Sequence, residues 1–243
     1  MSSIMQSSMV KFIIDKDRRR FSIHMALASS FPKDILQLPL NSEIDEVVFG
    51  YCCEFVYTGD YTVSLPNSNP SGSAVVQHSN DNTVSQKFGT RWNPMNLTEN
   101  LFHPTNLSDI HAPVAERLGP VPWYEDGDTL NADPADNYTN VFPSHVQVYR
   151  LGYRTNWNSL CHRSLYWLLR SLARFKLFQE RTEDIVKFLR FVFEESECME
   201  NLQKILRDYA AWNVEILMRD TDFQQLLDRV PTLEKAIFSS MWK

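Results

Sequence analysis

In this 243-residue chain, metal binding or nucleophilic catalysis would fall to four cysteines (Cys52, Cys53, Cys161 and Cys198) and six histidines (His24, His78, His103, His111, His145 and His162). A structural zinc site needs Cys or His pairs a few residues apart, in two sets, and that pattern does not occur. His103 and His111 have no thiol near them. Cys52 and Cys53 are neighbours on a predicted helix, where successive side chains diverge by about 100° and cannot share one tetrahedral site. A thiol nucleophile needs a base within hydrogen-bonding reach; Cys161 and His162 are adjacent, but adjacent helical residues face different directions. Cys52 is expected to pack in a core, and His24 to sit hydrogen-bonded at a strand-to-helix corner. Phosphate-cradling and nucleophile-elbow glycine patterns are absent, and seven glycines leave few backbone nests. The expectation is a protein with no catalytic, cofactor-binding or metal-ligating residues. A thiol enzyme using Cys52 or Cys161 is the rival class.

Charge narrows the classes further. Lys plus Arg number 24 against 30 Asp plus Glu, a net charge of −6, which argues against direct nucleic-acid binding, since that needs a basic surface. The run Arg18-Arg19-Arg20 reads as the solvated turn of a hairpin. Arg163, Arg170, Arg174, Lys176 and Arg181 give the middle helices a positive bias that an acidic partner face, or the chain's own acidic stretch, would match. No run of apolar residues is long enough for a membrane helix, and the start MSSIMQSSMVKFIID lacks a signal-peptide pattern. An intracellular protein with reduced thiols is expected, so the Asn-x-Ser/Thr matches at Asn96, Asn106 and Asn137 read as chance.

The elements that would position these residues fall into three segments. Between Thr62 and Pro143 lie 9 of the 12 prolines, 11 asparagines and 9 acidic residues against three bases, Lys87, Arg91 and Arg117. Its apolar residues have no period, so it is expected to be a disordered insert. Its net charge of −6 equals that of the whole chain. Within it, Val121-Pro122-Trp123-Tyr124-Glu125-Asp126 reads either as a short docking motif or as aromatic residues folding back on the domain.

Before the insert, Val10–Ile14 and Arg20–His24 read as two strands of a hairpin about Asp15–Arg19. His24–Ser30 is helix-compatible up to Phe31-Pro32, and a short extended piece follows around Leu36 to Leu40. Val48, Cys52, Phe55 and Val56 then mark one helical face, closed by Gly59. After the insert, Pro143 suits a helix first turn, a break falls near Asn156, and Leu165, Leu168, Leu169 and Leu172 form one stripe. Thr182 reads as an N-cap before Ile185, Phe188, Leu189 and Val192. Leu202, Ile205, Leu206 and Tyr209 repeat that spacing, and a last helix runs around Leu233 to Met241. The fold class is α+β: a small sheet unit against which a helical bundle packs.

Phe21-Ser22-Ile23-His24-Met25-Ala26-Leu27-Ala28-Ser29, then Leu38-Pro39-Leu40, Val48-Phe49 and Glu54-Phe55-Val56-Tyr57-Thr58-Gly59-Asp60-Tyr61, resembles the BTB/POZ domain, and more narrowly the fungal BTB proteins. His145–Leu151 continuing to Trp157 and Leu160 is similar to their helical pair after the sheet, and Leu206–Ala211 with Asn213 to their C-terminal helices. The resemblance implies a BTB/POZ-like small sheet flanked by helices, split into residues 10–61 and 144–180. The insert 62–143 interrupts this domain, and a helical extension at 181–243 follows it. It also implies a non-enzymatic protein-interaction module: a homo-oligomerising scaffold, a substrate adaptor for a cullin-type ubiquitin ligase, or a transcription-associated factor acting through protein contacts. Family members carry an Asp before the first strand and a basic residue after the His. Those places hold Met9 and Met25 here, so the family's charged pocket does not carry over. The stretch from Phe31 to Leu38 is also shorter than the connection that often contributes to cullin contact.

Overall fold

A computed structural model describes residues 2–14, 19–36, 44–64, 136–195 and 199–241. These are mostly helical, with one two-stranded antiparallel sheet. They divide into two compact units, the first made of residues 2–64 and 140–170, the second of 136–139 and 171–241. No helix among the described residues is long and apolar enough to cross a membrane.

The first unit opens with a helical turn, α1 (Ser2–Met5), followed by β1 (Met9–Ile14) and β2 (Arg19–His24). The strands pair in a register that sets Met9 opposite His24, Val10 opposite Ile23 and Phe12 opposite Phe21. Alternation along each strand sends side chains to opposite faces. Phe12, Ile14 and Ile23 therefore enter the core, with Val10 and Phe21 partly buried beside them. The turns α2 (Met25–Ala28) and α3 (Lys33–Leu36) follow. Helical structure at Lys33–Leu36 corrects the extended reading of Leu36; residues 37–40 lie outside the described set. Pro32 starts the turn, its carbonyl accepting from the amides of Ile35 and Leu36 at 3.0 and 3.2 Å, and burial of Ile35 holds it.

Helix α4 (Glu46–Thr58) is capped at both ends. The Asp45 carboxylate accepts from the amides of Val47 and Val48 at 2.8 and 3.2 Å, and Gly59, at φ 77°, closes the helix in the left-handed region that glycine tolerates. Its buried side chains include Val48, Phe49, Cys52 and Phe55, three of the four expected with Phe49 added, while Val56 is only partly buried. Phe49 meets the rings of Phe12, Phe21 and Phe31 at centroid distances of 5.4, 5.0 and 6.0 Å. Trp157 adds contacts to Phe31 and Phe55.

Of the stretch read as an insert, residues 62–64 and 136–143 are described, and 65–135, including the Val121–Asp126 cluster, lie outside the described residues. The helix expected from Pro143 starts before it. Helix α5 (Val141–Arg154) begins two residues earlier, with Val141 and Phe142 buried. Asn156 takes φ 52° at the expected break, and α6 (Asn158–Arg174) follows. Gly152 lets the turn between them close: a Cβ there would lie 2.8 Å from Cys161 Sγ and 3.2 Å from the Trp157 carbonyl oxygen.

In the second unit, Tyr138 packs edge-on against Phe175. The buried Asp184 carboxylate accepts from the Tyr138 amide, the Thr139 hydroxyl and Arg181. Helix α7 (Thr182–Arg190) follows directly on a 3-10 turn at Gln179–Arg181. Thr182 is inside this helix, and its hydroxyl donates to the Asp220 carboxylate at 2.6 Å, so it is not the N-cap expected. Ile185, Phe188, Leu189 and Val192 are buried as a stripe, as are Leu202, Ile205, Leu206 and Tyr209 of α8 (Glu200–Trp212). Two further helices were not anticipated, α9 (Val214–Leu217) and α10 (Thr221–Arg229). Asp220 caps α10 through the amides of Asp222 and Phe223. Helix α11 (Pro231–Met241) packs along α8 and buries Leu233 and Ile237.

Candidate interaction face

The thiols are placed for packing. Cys52 is fully buried in α4, and burial pushes its thiol far above the ordinary range. Burial likewise pushes Cys53 and Cys161 up to about 12, and Cys161 Sγ lies 3.7 Å from the Tyr149 carbonyl as its donor. A thiol held protonated is a poor nucleophile and a poor metal ligand. No group of three or more His, Cys, Asp or Glu residues among the described residues is arranged to hold a metal ion. Cys198, His78, His103 and His111 lie outside the described residues.

His145 is buried in α5, with Nδ1 2.9 Å from the Tyr61 hydroxyl. Burial lowers its pKa from 6.5 to about 4, against a smaller opposing pull from Asp60. Between those values the unfolded chain takes up a proton that the folded chain refuses. The stabilisation from neutral His145 is thus full above about pH 6.5 and is lost as pH falls toward 4. Urea-unfolding midpoints across this window should fall with pH, and more shallowly for His145→Gln, which does not titrate.

Next to this pair sits a charged junction. Asp60 Oδ1 accepts from the Tyr61 amide at 2.8 Å, Arg163 Nε at 2.8 Å and Trp167 Nε1 at 2.6 Å, while Oδ2 accepts from Arg163 Nη2 at 2.5 Å. The Arg163 guanidinium lies over the rings of Tyr166 and Trp167. Arg170 lies over Trp167 and donates to the Tyr166 hydroxyl. In the second unit, Lys176 lies over Phe178 and Arg181 pairs with Asp184. Much of the expected positive bias is thereby engaged within the units that carry it. The junction joins the end of α4 to α6, with Arg163 paired to Asp60 and Arg170 engaged by Tyr166 and Trp167.

The outward face of the hairpin is different. Its six side chains are Met9, Lys11 and Ile13 from β1, opposite His24, Ser22 and Arg20 from β2. Helix α2 extends this face: the Met25 amide donates to the Ser8 carbonyl at 2.7 Å, and the Ala26 amide to Ser7 Oγ, holding α1 alongside. Met5, Met9 and Met25 are 71%, 46% and 55% exposed, and Tyr57 at the end of α4 is 43% exposed. The Tyr57 oxygen accepts from the His24 amide at 3.1 Å, and the same hydroxyl is hydrogen-bonded to His24 Nδ1 at 2.8 Å. His24 is thus hydrogen-bonded at the corner expected for it. Arg19, on the other face, pairs with Glu46; Lys11 and Arg20 form no ion pair among the described residues. The two β-prone runs around a polar turn predict the hairpin; alternation along them, a signal also present in the sequence, sorts Met9, Lys11 and Ile13 onto this face.

Comparison of the chain with protein-family profiles, with curated proteins and with solved structures finds no match in any of the three.

Proposed function

We propose that the chain is a BTB-type protein-interaction module without catalytic activity, serving as a self-assembling scaffold or as an adaptor for a cullin-type ubiquitin ligase. The observation that carries the partner-binding part of this reading is the group of exposed large apolar side chains around the hairpin, α2 and the end of α4: Met5, Met9, Met25 and Tyr57. Large apolar side chains grouped on a surface favour burial against another protein, and methionine adapts to varied partners. The resemblance of Phe21–Ser29 and Glu54–Tyr61 to the BTB domain supports the same reading. So do thiols held protonated by burial, which suit packing rather than catalysis. The reading places the protein inside the cell, in keeping with Cys52, Cys53 and Cys161 all being unpaired.

Light scattering tests it. The purified full chain, alone or mixed with a cullin N-terminal region, should give a species heavier than its 28.3 kDa monomer in at least one arm. Blocking exposed thiols with an alkylating agent should leave that assembly intact. A 28.3 kDa species in both arms overturns the proposal.

A further inference from the structure

We infer that the outward face of the β1–β2 hairpin is a docking site for an acidic, amphipathic segment of a partner protein. The inference rests on the interaction-module reading and names the surface and the partner's chemistry.

Two properties of the face point to this occupant. Its six outward positions contain two cations, Lys11 and Arg20, and no carboxylate. Both cations lack an ion-pair partner among the described residues and are exposed. Interleaved with them are Met9 and the half-buried Ile13, with Met25 and Met5 at the margin. Apolar contact supplies affinity, while charge sets orientation, partner choice and encounter rate. A partner that satisfies both carries carboxylates alternating with apolar side chains.

A second copy of the chain fits this face poorly. A two-fold contact sets the same patch against itself, bringing the cations Lys11 and Arg20 of one copy toward those of the other, with no carboxylate among the six outward positions.

The test uses the full chain and a fluorescein-labelled peptide that alternates glutamate with leucine and is long enough to span the six residues of β1. A peptide with lysine in place of glutamate is the control. Anisotropy should report binding of the glutamate peptide, weakening as salt rises, and little binding of the lysine peptide. The double variant Lys11→Glu/Arg20→Glu should lose the glutamate peptide by about tenfold or more. Met9→Ser with Met25→Ser should weaken it with the salt dependence retained. Lys11→Gln/Arg20→Gln stands in if charge reversal disturbs folding, with a smaller loss in the same direction expected. Equal binding of the two peptides, or full binding of the glutamate peptide by the charge-reversed chain, overturns the inference. Binding to phosphatidylserine vesicles with indifference to the glutamate peptide also overturns it and assigns the face to a membrane surface. A chain that assembles in light scattering yet ignores the glutamate peptide overturns this inference alone. A monomeric chain that ignores cullin but binds the peptide at this face supports the site and removes the scaffold and adaptor reading.

Discussion

Phe49→Ala is expected to destabilise the first unit by about 4 kcal/mol, the cost typical of emptying a fully buried aromatic site. Phe49 is fully buried and its ring meets those of Phe12, Phe21 and Phe31 together. Those three come from β1, β2 and the turn before α3, so one side chain on α4 joins both strands and that turn. Truncation removes apolar area and leaves a cavity that neighbouring rings cannot collapse to fill, because each is anchored on a different element. Against a total stability of about 5 to 15 kcal/mol, the loss takes a large share. Urea unfolding measures it directly. Hydrogen exchange should show faster exchange of the β1 and β2 amides. A loss below about 1 kcal/mol would mean that the hairpin does not depend on α4.

Asp60→Ala should destabilise the chain by about 2 kcal/mol: the Asp60 side chain is 36% exposed, so solvent screens part of the loss, but the mostly buried Arg163 charge is left uncompensated. The Arg163 side chain is only 13% exposed, and its fork is held by both Asp60 oxygens, a bidentate geometry that strengthens each bond. The variant also strips an acceptor from Trp167 Nε1 and from the Tyr61 amide. Asp60→Asn should fall between wild type and alanine, since it keeps one acceptor and loses the charge. Asp60→Ala/Arg163→Met should be less destabilised than Asp60→Ala alone, because the isolated cation is the costly part. A double variant whose losses simply add would show that the two residues are not energetically coupled.

What could be read from the sequence follows the range of the interactions involved. The hairpin, the stripe of Val48, Cys52 and Phe55, the Gly59 cap and the break at Asn156 are set by residues within a turn or two of each other, and period and turn chemistry expose them. Leu36 was misread because one helical turn is too short to show a period, and its start depends on the Pro32 carbonyl. Thr182 has the chemistry of a cap, but its hydroxyl is drawn to Asp220, a residue far along the chain, and no local pattern signals that. The Asp60–Arg163–Trp167 junction is hidden for the same reason: Tyr-Thr-Gly-Asp-Tyr is visible as a motif, while the partners of its Asp lie more than 100 residues on. The outward face combines both cases. Alternation sorts Met9, Lys11 and Ile13 onto one side of a strand, but only the structure sets α1 and α2, with Met5 and Met25, against the hairpin and leaves Lys11 and Arg20 without an ion-pair partner among the described residues.

Mild peroxide oxidation read by mass spectrometry tests the central claim, that this face is where the protein binds. In the free chain Met5, Met9 and Met25 should form sulfoxide quickly and buried Met199 slowly, following their exposure. Saturation with the glutamate–leucine peptide should slow oxidation of those three methionines severalfold and leave Met218, which is 39% exposed in the second unit, at its free rate. Unchanged rates at Met5, Met9 and Met25 with peptide bound would contradict the account.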